Sequence, residues 1–104
     1  MASKIISSQK YLHSDIVAEK RSAQDYDVTV SPEMAYDGGT YRVILDGHHS
    51  LEAARLDGVD PQYIEATHQM CDYLHLCRAD PEQFLALARI DCDYYDIETG
   101  VVEW

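Results

Sequence analysis

Residues 41–61 read YRVILDGHHSLEAARLDGVDP, and this stretch decides the fold. Tyr41 to Leu45 is a short apolar, β-branched run of the kind that forms a buried strand. Asp46 and Gly47 end it, and an alanine-rich segment begins at once. There Leu51, Ala53, Ala54 and Leu56 spread over one broad side of a helical wheel, with Glu52 and Arg55 opposite. Gly58 is placed to cap that helix in the left-handed conformation. Val59 can supply the accompanying apolar contact, and Pro61 blocks continuation. The spacing therefore predicts a strand, a glycine turn, and a helix from His48 or His49 to Asp57.

Working outward, Asp37-Gly38-Gly39 is a turn signal that leads a chain reversal into the strand. Residues 28–30 read as a short strand stopped by Ser31-Pro32. Residues 1–24 are polar and weakly patterned, with a strand near Ile5 and Ile6 and a short helix over about 15–21. On the other side, residues 63–66 predict a strand and residues 69–77 a helix. A further helix starts at Asp80, with Pro81 in its first turn and Gln83 at the third helical position. Phe84, Leu85, Leu87, Ala88 and Ile90 are expected to form its buried face. The tail from Tyr94 to Trp104 predicts a small hairpin or an extended arm, docked through Tyr94, Tyr95 and Trp104. The expected fold is α/β (α+β), a single domain over 1–104 with a small mixed sheet and packed helices.

Composition limits the function classes. Nineteen acidic residues against eight basic ones give a formal charge of −11 in 104 residues. Such a field repels phosphate backbones, so direct binding of duplex DNA is disfavoured, whereas a basic protein partner suits it. No run approaches the roughly 18 apolar residues of a membrane span, and the N-terminus lacks the apolar core of a signal peptide. A cytoplasmic protein is expected. Cys71, Cys77 and Cys92 are expected as free, mostly buried thiols. Eight tyrosines scattered among acids suit strand edges, and equally a protein interface or a nucleic-acid mimic.

The chemistry concentrates at residues 46–50. A strand that turns directly into a helix aims free backbone N–H groups at one point, and the helix dipole adds partial positive charge there. Gly47 admits a ligand close to the backbone. His48, His49 and Ser50 can hydrogen-bond a phosphate, the imidazoles more strongly once protonated. The other reading is that one histidine caps the helix and the other packs in the loop. His68, Cys71, His75 and Cys77 offer zinc-ligand types, but their spacing is not a familiar one and Met70, Leu74 and Leu76 interleave as core residues would. No metal site is expected there. No G-x-S-x-G motif is present, so a catalytic triad of that type is excluded.

With these residues in view, the 41–61 segment resembles the signature of the ParB/sulfiredoxin superfamily, in which an apolar strand leads through a glycine-containing phosphate-binding turn into an alanine-rich helix. Phage-type members often carry a similar Asp-Gly-His-His turn and a tyrosine-rich tail like residues 94–100. Asp46, Gly47, His48 and His49 match the turn of the superfamily's free-serine kinases, with Ser50 where those have arginine. The resemblance implies a stand-alone ParB-like domain that binds a nucleotide or phosphate ligand, with magnesium, through Gly47, His48, His49 and Ser50. Phosphotransfer or hydrolysis would then fall to His48, His49 and Asp46, with Asp46 orienting an imidazole or the magnesium ion. The alternative is a non-enzymatic, acidic, phage-type inhibitor or nucleic-acid mimic that docks on a basic surface of a nucleic-acid-handling complex.

Overall fold

The run beginning at Tyr41 becomes the centre of a mixed sheet. In the computed structural model, which describes residues 3–103, the elements are β1 (Lys4–Ser7), α1 (Ser14–Ala23), β2 (Asp27–Val30), β3 (Met34–Tyr36), β4 (Gly39–Asp46), α2 (His48–Asp57), β5 (Gln62–Glu65), α3 (Leu76–Ala79), α4 (Pro81–Ala88) and β6 (Tyr95–Asp96). The strand order is β5-β2-β4-β1-β6, and β3 folds back on the first part of β4. β4 runs parallel to β1 and antiparallel to β2, while the edge pairs are parallel β2–β5 and antiparallel β1–β6. The β3–β4 reversal uses positive φ at Asp37 (49°) and Gly38 (80°), as the turn signal predicts.

The period-two alternation of β4 divides its side chains between two apolar clusters. Tyr41 and Val43 face a core that also holds Ile6, Met34, Phe84 and Tyr94. Ile44 faces the other way, onto Val28 and Val30, with Leu51 of α2 packed against them. Helices α3 and α4 therefore lie over one face. On the other, α2 packs on β2, and α1 packs on α2. The result is a small mixed α/β domain with its helices on both sides of one sheet. Full burial of Val43 and Ile44 stabilises it by about 1.5–3 kcal/mol each.

The helix ends follow the sequence closely. Gly58 sits at φ 68°, its N–H donates to Arg55, and the Val59 N–H reaches back to the Ala54 carbonyl at 3.0 Å. Asp80 Oδ1 accepts the Gln83 N–H at 3.1 Å and Pro81 opens α4.

Three expectations need correction. Residues 69–77 are not one helix but a series of turns closed by i→i+3 bonds (Met70 to Thr67, Leu76 to Tyr73, Cys77 to Leu74), with α3 only at the end. Cys71, Leu74 and Cys77 recur every third residue, and turns of that pitch bring all three to the core. Met70 is 61 % exposed rather than interleaved in the core. Leu87 and Ile90 are also half exposed: α4 stops at Ala88, Arg89 is extended, and Ile90 lies beyond the helix.

The tail is a hairpin whose first arm is also a strand of the main sheet. Tyr95 bridges Val102 across Thr99-Gly100, and β6 pairs with β1. Tyr94 is fully buried and donates its hydroxyl hydrogen to the Leu85 carbonyl. Trp104 lies outside the described residues. Among those residues no helix is long and apolar enough to cross a membrane.

Candidate functional site at the β4–α2 turn

Gly47 has φ 93°, a left-handed value that favours glycine, and the space confirms the requirement. A Cβ at this position would stand 2.5 Å from the Asp27 carbonyl oxygen and 2.9 Å from Val28 Cα. The turn is thus pressed directly against the backbone of β2. Its N–H donates to Asp46 Oδ1 at 2.8 Å, and its carbonyl accepts the first helical bond from Leu51. With glycine as N-cap, no side chain caps α2, so the N–H groups of His48, His49 and Ser50 lack the acceptor that a capping residue would provide.

The two adjacent imidazoles diverge. His48 is 7 % exposed, with Nε2 2.8 Å from the buried Ser7 hydroxyl. Burial, opposed in part by the carboxylates of Asp46 and Asp91, pushes its pKa down from 6.5 to about 4. His49 turns toward the start of α1, where its Nε2 accepts the His13 N–H at 3.1 Å and the two rings stack 6.2 Å apart. The expectation that both rings face one cleft is therefore corrected. A helix advances about 100° per residue, so neighbours at its first turn take different sides.

What the turn does open on is a cleft of about 260 Å³ lined by Asp46, Gly47, His49 and Ser50 together with Lys20, Asp25 and Asp27. Ser50 is buried and lines the same cleft as Asp25. Lys20 lies 3.0 Å from Asp25, and that bond, helped by the Asp27 N–H and by Ser50, holds the Asp25 carboxyl below the usual range. Lys20, Asp25 and Asp27 escape sequence reasoning because nothing local says that β2 lies antiparallel beside β4, with Thr29 opposite Asp46. The only trace is the Asp25-Tyr26-Asp27 pair of acids just before a short strand.

No family model matches this chain, and neither does any curated protein or solved structure.

The chemistry of the cleft is mixed in sign. Uncapped amides, the helix dipole and the Lys20 ammonium favour an anion. Asp27 and Asp46 favour a cation. Among the described residues no group of three or more His, Cys, Asp or Glu side chains gathers to hold a metal ion by itself. Magnesium does not ask for such a cage. It is commonly held by one or two carboxylates plus phosphate oxygens of the ligand, with water completing the octahedron. The donor set at this turn fits a magnesium–phosphate pair better than either ion alone. Elsewhere, the Cys77 thiol is buried and pushed up to about 11, chiefly by that burial, which makes it a core residue rather than a nucleophile.

Proposed function

We propose that the chain is a ParB-like domain that binds a magnesium-complexed nucleotide or phosphate ester at the β4–α2 turn. The observation that carries this reading is the uncapped first turn of α2 opening on a cleft that also contains Asp27 and Asp46. The amides and Lys20 would take phosphate oxygens, and the two carboxylates would take the metal, which would neutralise the repulsion a bare phosphate meets there. Any turnover would fall to His49 and Asp46, because His48 is held on the other side of the turn by Ser7. Calorimetric titration with ATP, CTP and ADP tests the reading. Heats of binding are expected with magnesium present, lost with EDTA, and lost in Asp46→Asn. Flat heats with every nucleotide and magnesium end it.

A second reading rests on a separate observation. Among the described residues, six of the eight basic side chains are bound in intramolecular ion pairs, and Lys10 lies over the Tyr95 ring. Most of the nineteen carboxylates are left without a cationic partner. An acidic interaction protein docking on a basic surface would have this balance. Lysine substitutions at the exposed Asp60, Asp72, Glu82 and Glu98 would then abolish displacement of a labelled duplex from a basic DNA-binding protein while leaving nucleotide heats unchanged.

A further inference from the structure

The two ends of the sheet are finished differently. β6 is covered by the return arm of its own hairpin, where Tyr95 bridges Val102 and the Asp96 N–H donates to the Val101 carbonyl. β5, at the opposite end, has β2 on one side and no strand on the other. The bonds at its two ends fix which groups face outward. The Gln62 N–H donates to Tyr26 and the Ala66 N–H to Val30, both on the β2 side. Alternation along the strand then turns the N–H and C=O of Tyr63 and Glu65 to the open edge. Among the described residues no other backbone group meets them there.

Edges of this kind are usually shielded by charge, by proline, by a bulge or by a covering loop. Here Gln62, Tyr63 and Glu65 are all exposed, and the β2–β5 register runs without a bulge. The charge of Glu65 is itself taken up by Arg42 at 2.8 Å. Tyr63, 41 % exposed, and Val59, 42 % exposed, share the wall of a cavity of about 500 Å³ that also takes in Leu51 and Ile97. On an added strand, the residue opposite Tyr63 would project to the same face and meet that apolar wall. The edge thus offers both things that strand addition uses: main-chain groups for affinity and an apolar recess for alternate side chains.

Charge selects the occupant. Asp60, just before β5, and Glu98, on the lining of the same cavity, are in no ion pair among the described residues. Nor is Asp27, which lies opposite Gln62 on the other face of the sheet. Of the cations that line the cavity, Arg55 is paired with Glu52 and Lys10 lies over the Tyr95 ring. A second copy of the chain would bring another charge of −11 to the contact, whereas a basic segment is attracted. We infer that the β5 edge accepts an extended, basic segment of a protein partner as an added antiparallel strand, with apolar side chains on the Tyr63 face. The inference rests on the acidic docking reading, to which it adds a place and the conformation of the partner.

The probe is a capped heptapeptide of alternating lysine and valine. In amide correlation spectra of the labelled chain it is expected to shift the Tyr63 and Glu65 signals saturably and to slow hydrogen exchange at those two N–H groups. Valines opposite Tyr63 and Glu65 turn their own amides toward β5, and the lysine amides then face solvent. Methylating the valine amides should therefore weaken binding by about tenfold or more, through two lost hydrogen bonds, while methylating the lysine amides should change it by less than about twofold. Tyr63→Ala, at an exposed position, should weaken it as well, and a glutamate–valine peptide should not bind. Salt-sensitive binding that ignores methylation would keep the acidic surface and overturn the edge. Equal binding of the glutamate–valine peptide would overturn the basic partner, and a dimer closed through β5 in sedimentation would put a second copy in its place. Absence of saturable binding would overturn the edge alone, since displacement of duplex from a basic protein tests the acidic surface separately.

Discussion

Gly47 and Gly58 bracket α2, and both have positive φ, yet they carry different loads. An added Cβ at Gly58 meets nothing within 4 Å, whereas at Gly47 it meets the backbone of β2. Gly58→Ala should therefore cost only the left-handed strain, about 1 kcal/mol. Gly47→Ala should cost about 2–4 kcal/mol, since the strand itself would have to move. Urea unfolding of the two variants measures the difference. His48 gives a second test at this scale. Its pKa is depressed in the folded chain to about 4 from 6.5. Above pH 6.5 it contributes no pH dependence. Between 6.5 and 4 the unfolded chain takes up the proton first, so stability falls as pH falls, by about 3 kcal/mol in all. His48→Gln should remove that slope and leave the loss below about pH 4 that comes from carboxylates, as followed by chemical denaturation at successive pH values. Gly47 was legible in the sequence because only one residue type serves there. The divergence of His48 and His49 was not, because it depends on Ser7 and His13, each more than thirty positions away.

At the scale of elements, legibility tracked how local the cause was. α2 and α4 were readable because their caps lie in the same few residues: Gly58 and Val59 for one, Asp80, Pro81 and Gln83 for the other. Asp80→Ala should lower stability by about 1 kcal/mol through the lost bond to Gln83, and a drop in melting temperature of several degrees would register it. The 69–77 stretch misled because its apolar residues recur every third position, a spacing compatible with a helix face until the core decides otherwise. Leu87 lies inside α4 but on its half-exposed side, and Ile90 misled for a related reason. Periodicity marks a helical face but does not say where the helix stops, and α4 ends before Ile90 can reach the core.

For the whole molecule, charge is the dominant parameter. The formal charge is −11, and the ion pairs that exist are largely solvent-exposed, hence weak. Repulsion among the remaining carboxylates outweighs them. Raising sodium chloride from about 10 mM to about 200 mM should therefore raise the melting temperature by a few degrees, because screening acts over about a Debye length on the repulsive majority. A fall would mean that the ion pairs dominate. A small mixed sheet with packed helices was anticipated in outline from the β4–α2 unit, but not that the helices divide between its two faces. The strand order could not be, since β1–β4 and β2–β5 are parallel pairings between distant segments and leave no local mark.

The placement of β1 has a consequence for biosynthesis. The first strand is not an edge: it is flanked by β4 and by β6, and Lys4 meets Glu103. Nothing made early can be finished early. While residues 94–96 are still to be made, Ile6 has β4 on one side but lacks β6 and the Tyr94 ring, so the nascent sheet stays open along that edge until those residues can fold back onto β1.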